Sequence, residues 1–236
     1  MILMNVPETP SFYTEFEPWA AASVAQFKAD HNAAEMPERL VISDADDTLI
    51  DSTLQWYNDY VHYAVNNQFL PTTLEVFGES RRRAFAALWL VDDEYDAYKK
   101  ERMHSIPLHV GMVALHDAAS TLAHDGMRLP NGYISTRPAV LGEVTADSLR
   151  DLGFARTPLL VRPPHIDYAD TVDFKEQAVI ILNDMVQAER ELRGTTIEYV
   201  DDYAAVADAI NGLHISTLVG THYGPHTSWG KILRLG

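Results

Sequence analysis

The chain has 236 residues, of which 47% are apolar and 22% charged, which is ordinary for a globular protein and sufficient for one α/β core with a small inserted domain. Its formal net charge of −16 argues against a broad nucleic-acid-binding face, because an acidic surface repels nucleic-acid phosphates. Cysteine is absent, no apolar run reaches about 18 residues, and no signal-peptide pattern precedes Pro18, so we expect a cytoplasmic protein without disulfides or membrane spans.

The first part of the chain predicts a helix, a strand and a long helical segment. Pro18 is well placed to open a helix with Val24 and Phe27 on one face. The apolar run Leu40-Val41-Ile42, with charged residues on both sides, predicts a buried strand. Residues 52 to about 104 have the apolar spacing of helices.

From Pro107 onward, helices and short strands alternate. The predicted strands are 132–134, 159–161, 196–200 and 215–219, and the predicted helices are 110–124, 138–152, 174–193 and 204–211. This alternation is typical of an α/β fold in which a Rossmann-like parallel sheet carries helices on both faces. Ligands of such sheets bind at the carboxyl ends of the strands.

Polar and charged side chains gather at those strand ends. In chain order they are Asp44-Ala45-Asp46-Asp47-Thr48, Ser135-Thr136-Arg137, Lys175 at the start of a helix, and Asp201-Asp202. Each group alone is also explained by turns and helix caps, which favour the same residue types. Four such groups in order along one edge indicate a functional site.

These four groups resemble the motifs of the haloacid dehalogenase-like (HAD) superfamily of phosphatases. The family has a strand followed by D-x-D-x-T, a strand ending in Ser or Thr, a lysine, and an acidic pair after a further strand. The resemblance covers roughly residues 39 to 50 and 107 to 220. Asp47 stands where the commonest form of the first motif has glycine, which leaves the branch of the family, and hence the substrate, open.

The resemblance implies a role for each residue. Asp44 would be the nucleophile that becomes an aspartyl-phosphate, and Asp46 the general acid and base. Ser135 and Lys175 would bind and neutralise the transferred phosphoryl group. Arg137 is a candidate phosphate ligand or a surface arginine, and Thr48 is a substrate-binding candidate that is better suited to ordering the loop.

A magnesium ion is the implied cofactor, because two anions, Asp44 and the substrate phosphate, must approach each other. The implied ligands are the Asp44 side chain, the Asp46 main-chain carbonyl and Asp202, with Asp201 binding through water. Asp202 aligns better than Asp201 with the metal-binding aspartate of the family.

The resemblance also implies two domains. Residues 1–50 and 107–236 would form the HAD-like core with an N-terminal helical extension, and residues 51–106 a small helical cap over the active edge. A closed cap favours small-molecule phosphates as substrates.

The sequence therefore predicts a Mg²⁺-dependent phosphohydrolase that cleaves a small-molecule phosphomonoester, with no nucleic-acid or membrane partner. Two alternatives stay open: a phosphomutase or phosphonatase on the same fold, and a non-catalytic binding module that retains the fold. The oligomeric state is not readable from the sequence.

Overall fold

The structure, a computed structural model, describes residues 12–31, 38–46, 48–51, 113–114, 130–154 and 158–223. The helices in these ranges are α1 (Phe16–Asp30), α2 (Gly142–Asp151), α3 (Thr171–Ala188) and α4 (Ala204–Gly212), with short 3₁₀ turns at Ala139–Leu141 and Tyr168–Asp170. The strands are β1 (Arg39–Ser43), β2 (Ile50–Asp51), β3 (Val113–Ala114), β4 (Gly132–Pro138), β5 (Leu159–Arg162), β6 (Thr196–Asp201) and β7 (Leu218–His222).

Five strands form one sheet in the order β5-β4-β1-β6-β7, and every pairing in it is parallel. The central strand β1 is flanked by β4 and β6, so its apolar run is covered on both faces, and Leu40, Val41 and Ile42 are all buried. The predicted α/β fold with a parallel, Rossmann-like sheet is confirmed.

The order of the strands determines which helices cover which face. The chain runs from β1 to β4 and β5 in one direction and later from β6 to β7 in the other. Because such crossovers are right-handed, α2 lies on one face and α3 and α4 lie on the opposite face. The direction reverses between β1 and β6, so a crevice opens there at the carboxyl ends of these strands.

The predicted N-terminal helix is part of the core. Trp19 and Phe27 of α1 are fully buried in a cluster with Phe174 and Leu182 of α3. Ahead of α1, Tyr13 extends the sheet edge: its N–H donates to the Leu159 carbonyl (2.8 Å), and its own carbonyl accepts from the Val161 N–H (2.9 Å). The N-terminal segment therefore covers the otherwise open edge of β5. Among the described residues, none of the helices has both the length and the apolar character needed to cross a membrane.

Several predicted boundaries were wrong by three residues or more; the strand predicted at 132–134, for example, runs to Pro138. The helix predicted to run to Arg193 ends at Ala188, because the chain turns there to bury Leu192, and the Gln187 side chain holds the turn through Gly194 N–H and Thr195 O. The last strand starts at Leu218 rather than at Ile215, because residues 215–218 form a turn in which the Leu218 N–H donates to the Ile215 carbonyl (2.9 Å).

The helix predicted over 110–124 is also wrong at 113–114, the part of that range that the structure describes. Val113–Ala114 forms strand β3, which pairs antiparallel with β2. Strand β2 begins at Ile50, two residues after Thr48. Asp51 and Val113, the residues on either side of the segment 52–112, are thus paired with each other beside the first motif. The helical cap predicted at 51–106 lies outside the described residues, apart from Asp51 in β2, as do the rest of the 110–124 helix and Asp47.

We predict that Gly220→Ala lowers the free energy of unfolding by about 1–3 kcal/mol, the usual cost of overpacking. β7 passes so close to α4 that a Cβ at Gly220 would overlap main-chain atoms of Ala207, the carbonyl oxygen first among them. Urea unfolding followed by circular dichroism measures the change. Gly212→Ala is the control: an added Cβ there meets no atom within 4 Å, so stability should stay the same or rise slightly. Equal destabilisation by both variants would contradict the close approach.

Candidate active site

The loop after β1 carries the first motif into the crevice between β1 and β6. The Asp44 N–H donates to the Val200 carbonyl of β6 (2.9 Å), and the Asp44 side chain is buried. Ala45 within the motif and Leu49 directly after it are buried, and this apolar anchoring holds the polar loop against the sheet. Buried Thr48 accepts a hydrogen bond from the Asp202 N–H (3.0 Å) through its Oγ1. Thr48 therefore links the loop after β1 to the loop after β6.

Lys175 joins two aspartates from different strands. It lies in the first turns of α3, where its neighbour Phe174 is packed in the core, and it is itself only 3% exposed. Its Nζ donates to Asp44 Oδ1 (2.8 Å) and to Asp201 Oδ2 (2.7 Å). The lysine thus brings its positive charge to the carboxyl ends of β1 and β6 together.

The acidic pair after β6 completes a cluster of carboxylates. Asp201 is fully buried, and its second oxygen, Oδ1, accepts from the Tyr203 N–H (2.8 Å) ahead of α4. Carboxylate oxygens of Asp44, Asp201 and Asp202 lie within 4.8 Å of one another. Three hard oxygen donors in this arrangement are a ligand set that suits a divalent cation such as Mg²⁺.

Burial controls the ionisation of the paired groups. It raises the pKa of the Asp44 carboxyl well above its usual value; the Lys175 ammonium opposes this rise, and the carboxylates of Asp201, Asp202 and Asp46 add to it. Burial also lowers the pKa of Lys175, but Asp201 and Asp44 outweigh that effect, so the net change is upward and the lysine stays charged. Burial and the neighbouring carboxylates thus oppose ionisation of Asp44, and the Lys175 ammonium favours it.

Arg137 is bound to the second aspartate of the first motif. Its Nε donates to Asp46 Oδ2 (2.7 Å) and its Nη2 to Asp46 Oδ1 (2.6 Å), a bidentate pair in which the arginine side chain is only 2% exposed. Nη1 lies 3.4 Å from Thr145 Oγ1 of α2. Thr145 was missed in the sequence, where a threonine within a helix carries no signal of such a contact.

Ser135 lies at the same edge, on β4. It is fully buried, and its Oγ accepts a hydrogen bond from the Arg137 N–H (3.2 Å). All the predicted site residues therefore lie at the carboxyl ends of β1, β4 and β6 and at the start of α3. Two contact groups result: Lys175 with Asp44 and Asp201, and Arg137 with Asp46 and Ser135.

Two buried cations, Lys175 and Arg137, meet four carboxylates at this edge, those of Asp44, Asp46, Asp201 and Asp202. When all six side chains are ionised, their net charge is −2. A buried charge without compensation is costly, so the balance favours a divalent cation. The arrangement is that of an acidic cluster that could hold a metal ion, at a topological switch point of the sheet.

Comparison with solved structures gives the class to which this fold belongs. A haloacid dehalogenase-like hydrolase from Bacteroides fragilis aligns with a TM-score of 0.51 at 16% identity, over 80% of this chain and 89% of that one. A phosphatase from Clostridium difficile aligns with a TM-score of 0.53 at 14% identity, over 83% of this chain and 91% of that one. At the level of sequence, no family model and no curated protein matches the chain.

The chain therefore has the fold of the HAD-like hydrolases, as its motifs predicted. At such low identities the likeness concerns the fold, and the chemistry of the site has to be argued from its own residues.

We predict that Lys175→Met lowers the free energy of unfolding of the metal-free protein by about 3–5 kcal/mol, because it leaves Asp44 and Asp201 buried without their shared cation. Urea unfolding in the presence of a chelator measures the loss. Lys28→Met is a matched control, since Lys28 also bridges two carboxylates, those of Glu189 and Glu191, but at the surface. That variant should change stability little. Similar losses in both variants would show that burial does not set the strength of the Lys175 pair.

Proposed function

We propose that the chain is a Mg²⁺-dependent phosphohydrolase that cleaves a small-molecule phosphomonoester through an aspartyl-phosphate on Asp44. The observation that carries this proposal is the buried contact of Lys175 with both Asp44 and Asp201, with Asp202 alongside. A carboxylate that shares a buried cation with a second carboxylate, beside a group that could hold a metal ion, suits phosphoryl transfer through a covalent intermediate.

Asp44 is suited to attack phosphorus. Lys175 binds its Oδ1, and its Oδ2 makes no hydrogen bond to any of the residues that the structure describes. In the proposed first step an Asp44 oxygen forms a bond to phosphorus, the bond from phosphorus to the ester oxygen breaks, and Asp46 gives a proton to that leaving oxygen. Water then attacks phosphorus, its proton passes to Asp46, and inorganic phosphate leaves Asp44.

Lys175 and Ser135 would receive the phosphoryl oxygens. Lys175 keeps its charge because its pKa is raised, so it neutralises both Asp44 and the approaching phosphate. The Ser135 hydroxyl lies on the strand next to β1 and can donate to a phosphoryl oxygen while it accepts from Arg137 N–H. Thr48 would keep the nucleophile loop in register with Asp202 rather than bind substrate.

Mg²⁺ would be held by the Asp44 side chain, the Asp46 main-chain carbonyl and Asp202, and it would neutralise the phosphate that meets Asp44. Asp202 is preferred to Asp201 as the direct ligand, because both oxygens of Asp201 already accept hydrogen bonds, from Lys175 and from Tyr203 N–H. Asp201 would act through water and by holding Lys175. A helical cap at 51–106 would close over this edge and favour small substrates.

We predict that Asp44→Asn lowers Mg²⁺-dependent hydrolysis of p-nitrophenyl phosphate by on the order of 10³-fold or more, because an amide cannot form the phosphorylated intermediate. Release of p-nitrophenolate and of inorganic phosphate are both measured, since a mutase would give no net phosphate. Asp208→Asn, an exposed aspartate on α4, is the control and should keep full activity. Full activity in Asp44→Asn would remove the proposed mechanism.

We predict that Asp202→Asn weakens Mg²⁺ binding by at least about 10-fold, since a direct ligand contributes no less than the groups that orient one. Calorimetric titration with Mg²⁺ measures the affinity. Asp201→Asn should chiefly lower the stability of the metal-free protein, because Lys175 loses a buried partner. The reverse pattern, with Mg²⁺ binding lost in Asp201→Asn and kept in Asp202→Asn, would make Asp201 the direct ligand.

A further inference from the structure

The contact between Arg137 and Asp46 is not accounted for by the role first expected of this arginine. A phosphate-binding arginine presents its planar fork to the anion. Here the fork already lies on the Asp46 carboxylate at 2.7 and 2.6 Å, the third nitrogen faces Thr145, and the side chain is 2% exposed. Binding phosphate in the same way would require this buried pair to break.

The arginine is itself fixed from two elements. Its main-chain N–H donates to Ser135 Oγ on β4 (3.2 Å), and its Nη1 faces Thr145 Oγ1 on α2 (3.4 Å). Thr145 in turn donates to the Leu141 carbonyl (2.8 Å), which orients its hydroxyl. A guanidinium held by a strand and a helix is a rigid support for the carboxylate that it binds.

We propose that Arg137 is a positioning residue that holds the Asp46 carboxylate in the orientation needed to protonate the leaving oxygen. This inference rests on the proposed role of Asp46 as general acid and base. The bidentate contact fixes the plane of the carboxylate through both oxygens, and each oxygen has a second lone pair that the arginine does not use. A carboxylate whose plane is fixed in this way exchanges its proton in a fixed direction.

A positioning role for Arg137 differs from a phosphate-binding role in one measurable respect: the loss of kcat/KM on substitution depends on the leaving group. A general acid matters most when the departing oxygen is a poor leaving group, and general acid–base catalysis typically contributes about 10²–10⁴-fold. A phosphate ligand matters equally for every phosphomonoester. The probes are p-nitrophenyl phosphate, which releases a phenolate, and p-nitrobenzyl phosphate, which has nearly the same shape and releases an alkoxide. The kcat/KM value reports the steps up to departure of this group.

The experiment compares wild type with Asp46→Asn, Arg137→Gln and Arg137→Lys in the full chain with Mg²⁺. We expect Asp46→Asn and Arg137→Gln to lose roughly 10²-fold or more on p-nitrobenzyl phosphate and less than about 10-fold on p-nitrophenyl phosphate. Competitive inhibition by inorganic phosphate should be unchanged in Arg137→Gln. Arg137→Lys keeps the charge without the fork, so it should fold normally and still show the loss that depends on the leaving group.

The double variant Asp46→Asn/Arg137→Gln keeps the test informative if Arg137→Gln alone folds poorly, because it leaves no unpaired charge. Its kcat/KM should equal that of Asp46→Asn for both probes, since residues that act as one unit are not additive. An additional equal loss on both probes, with weaker inhibition by phosphate, would overturn the inference and make Arg137 a phosphate ligand.

The outcomes also separate this inference from the proposed function. If Asp46→Asn shows no dependence on the leaving group, the general-acid role fails and the positioning role fails with it. If Asp46→Asn shows the dependence and the Arg137 variants do not, only the positioning role is overturned.

Discussion

The buried ammonium of Lys175 between Asp44 and Asp201 is the interaction on which the site depends. It draws together the ends of β1 and β6 and the start of α3, which are far apart in the sequence. Burial makes each of these three charges costly alone, so the side chains of Lys175, Asp44 and Asp201 have to lie in contact. The same burial raises the pKa of Asp44, and Asp201 and Asp202 complete with it a group of carboxylates that could hold a divalent cation. Stability and proposed function are thus opposed here, as is common at sites built to hold charge.

The sheet supplies the geometry that makes this interaction possible. Reversal of the strand order between β1 and β6 leaves a crevice at their carboxyl ends, and the Asp44 N–H is bonded to Val200 across it. The buried apolar residues Ala45 and Leu49 anchor a loop whose polar residues contact Lys175, Arg137 and the loop after β6. The polar groups are therefore placed by apolar packing, and the Thr48 hydroxyl links the two loops.

A second ion pair, Arg137 with Asp46, lies next to the first and has a different character. Lys175 is a single point charge shared by two carboxylates, whereas Arg137 presents two parallel N–H groups to one carboxylate. The first arrangement suits neutralisation of charge that moves during a reaction. The second suits fixing the plane of a group that exchanges a proton, which is why we separate a phosphate-binding cation from a positioning one.

The sequence by itself determined the class of fold and predicted most of the residues that the structure brings together at the candidate site. Apolar runs such as Leu40-Val41-Ile42 set the strands, and polar residues directly after them had to meet at one edge, because parallel strands end at the same side. It did not determine where α3 ends or that Val113–Ala114 pairs with β2, since burial of Leu192 and long-range strand pairing compete with local helix preference. Nor did it give the partner of Arg137: an arginine near a helix start can bind a phosphate, a carboxylate or water, and only the tertiary structure brings Asp46 and Thr145 to it. Periodicity and strand order are local properties of the chain, whereas the pairing of charges depends on distances that exist only after the chain has folded.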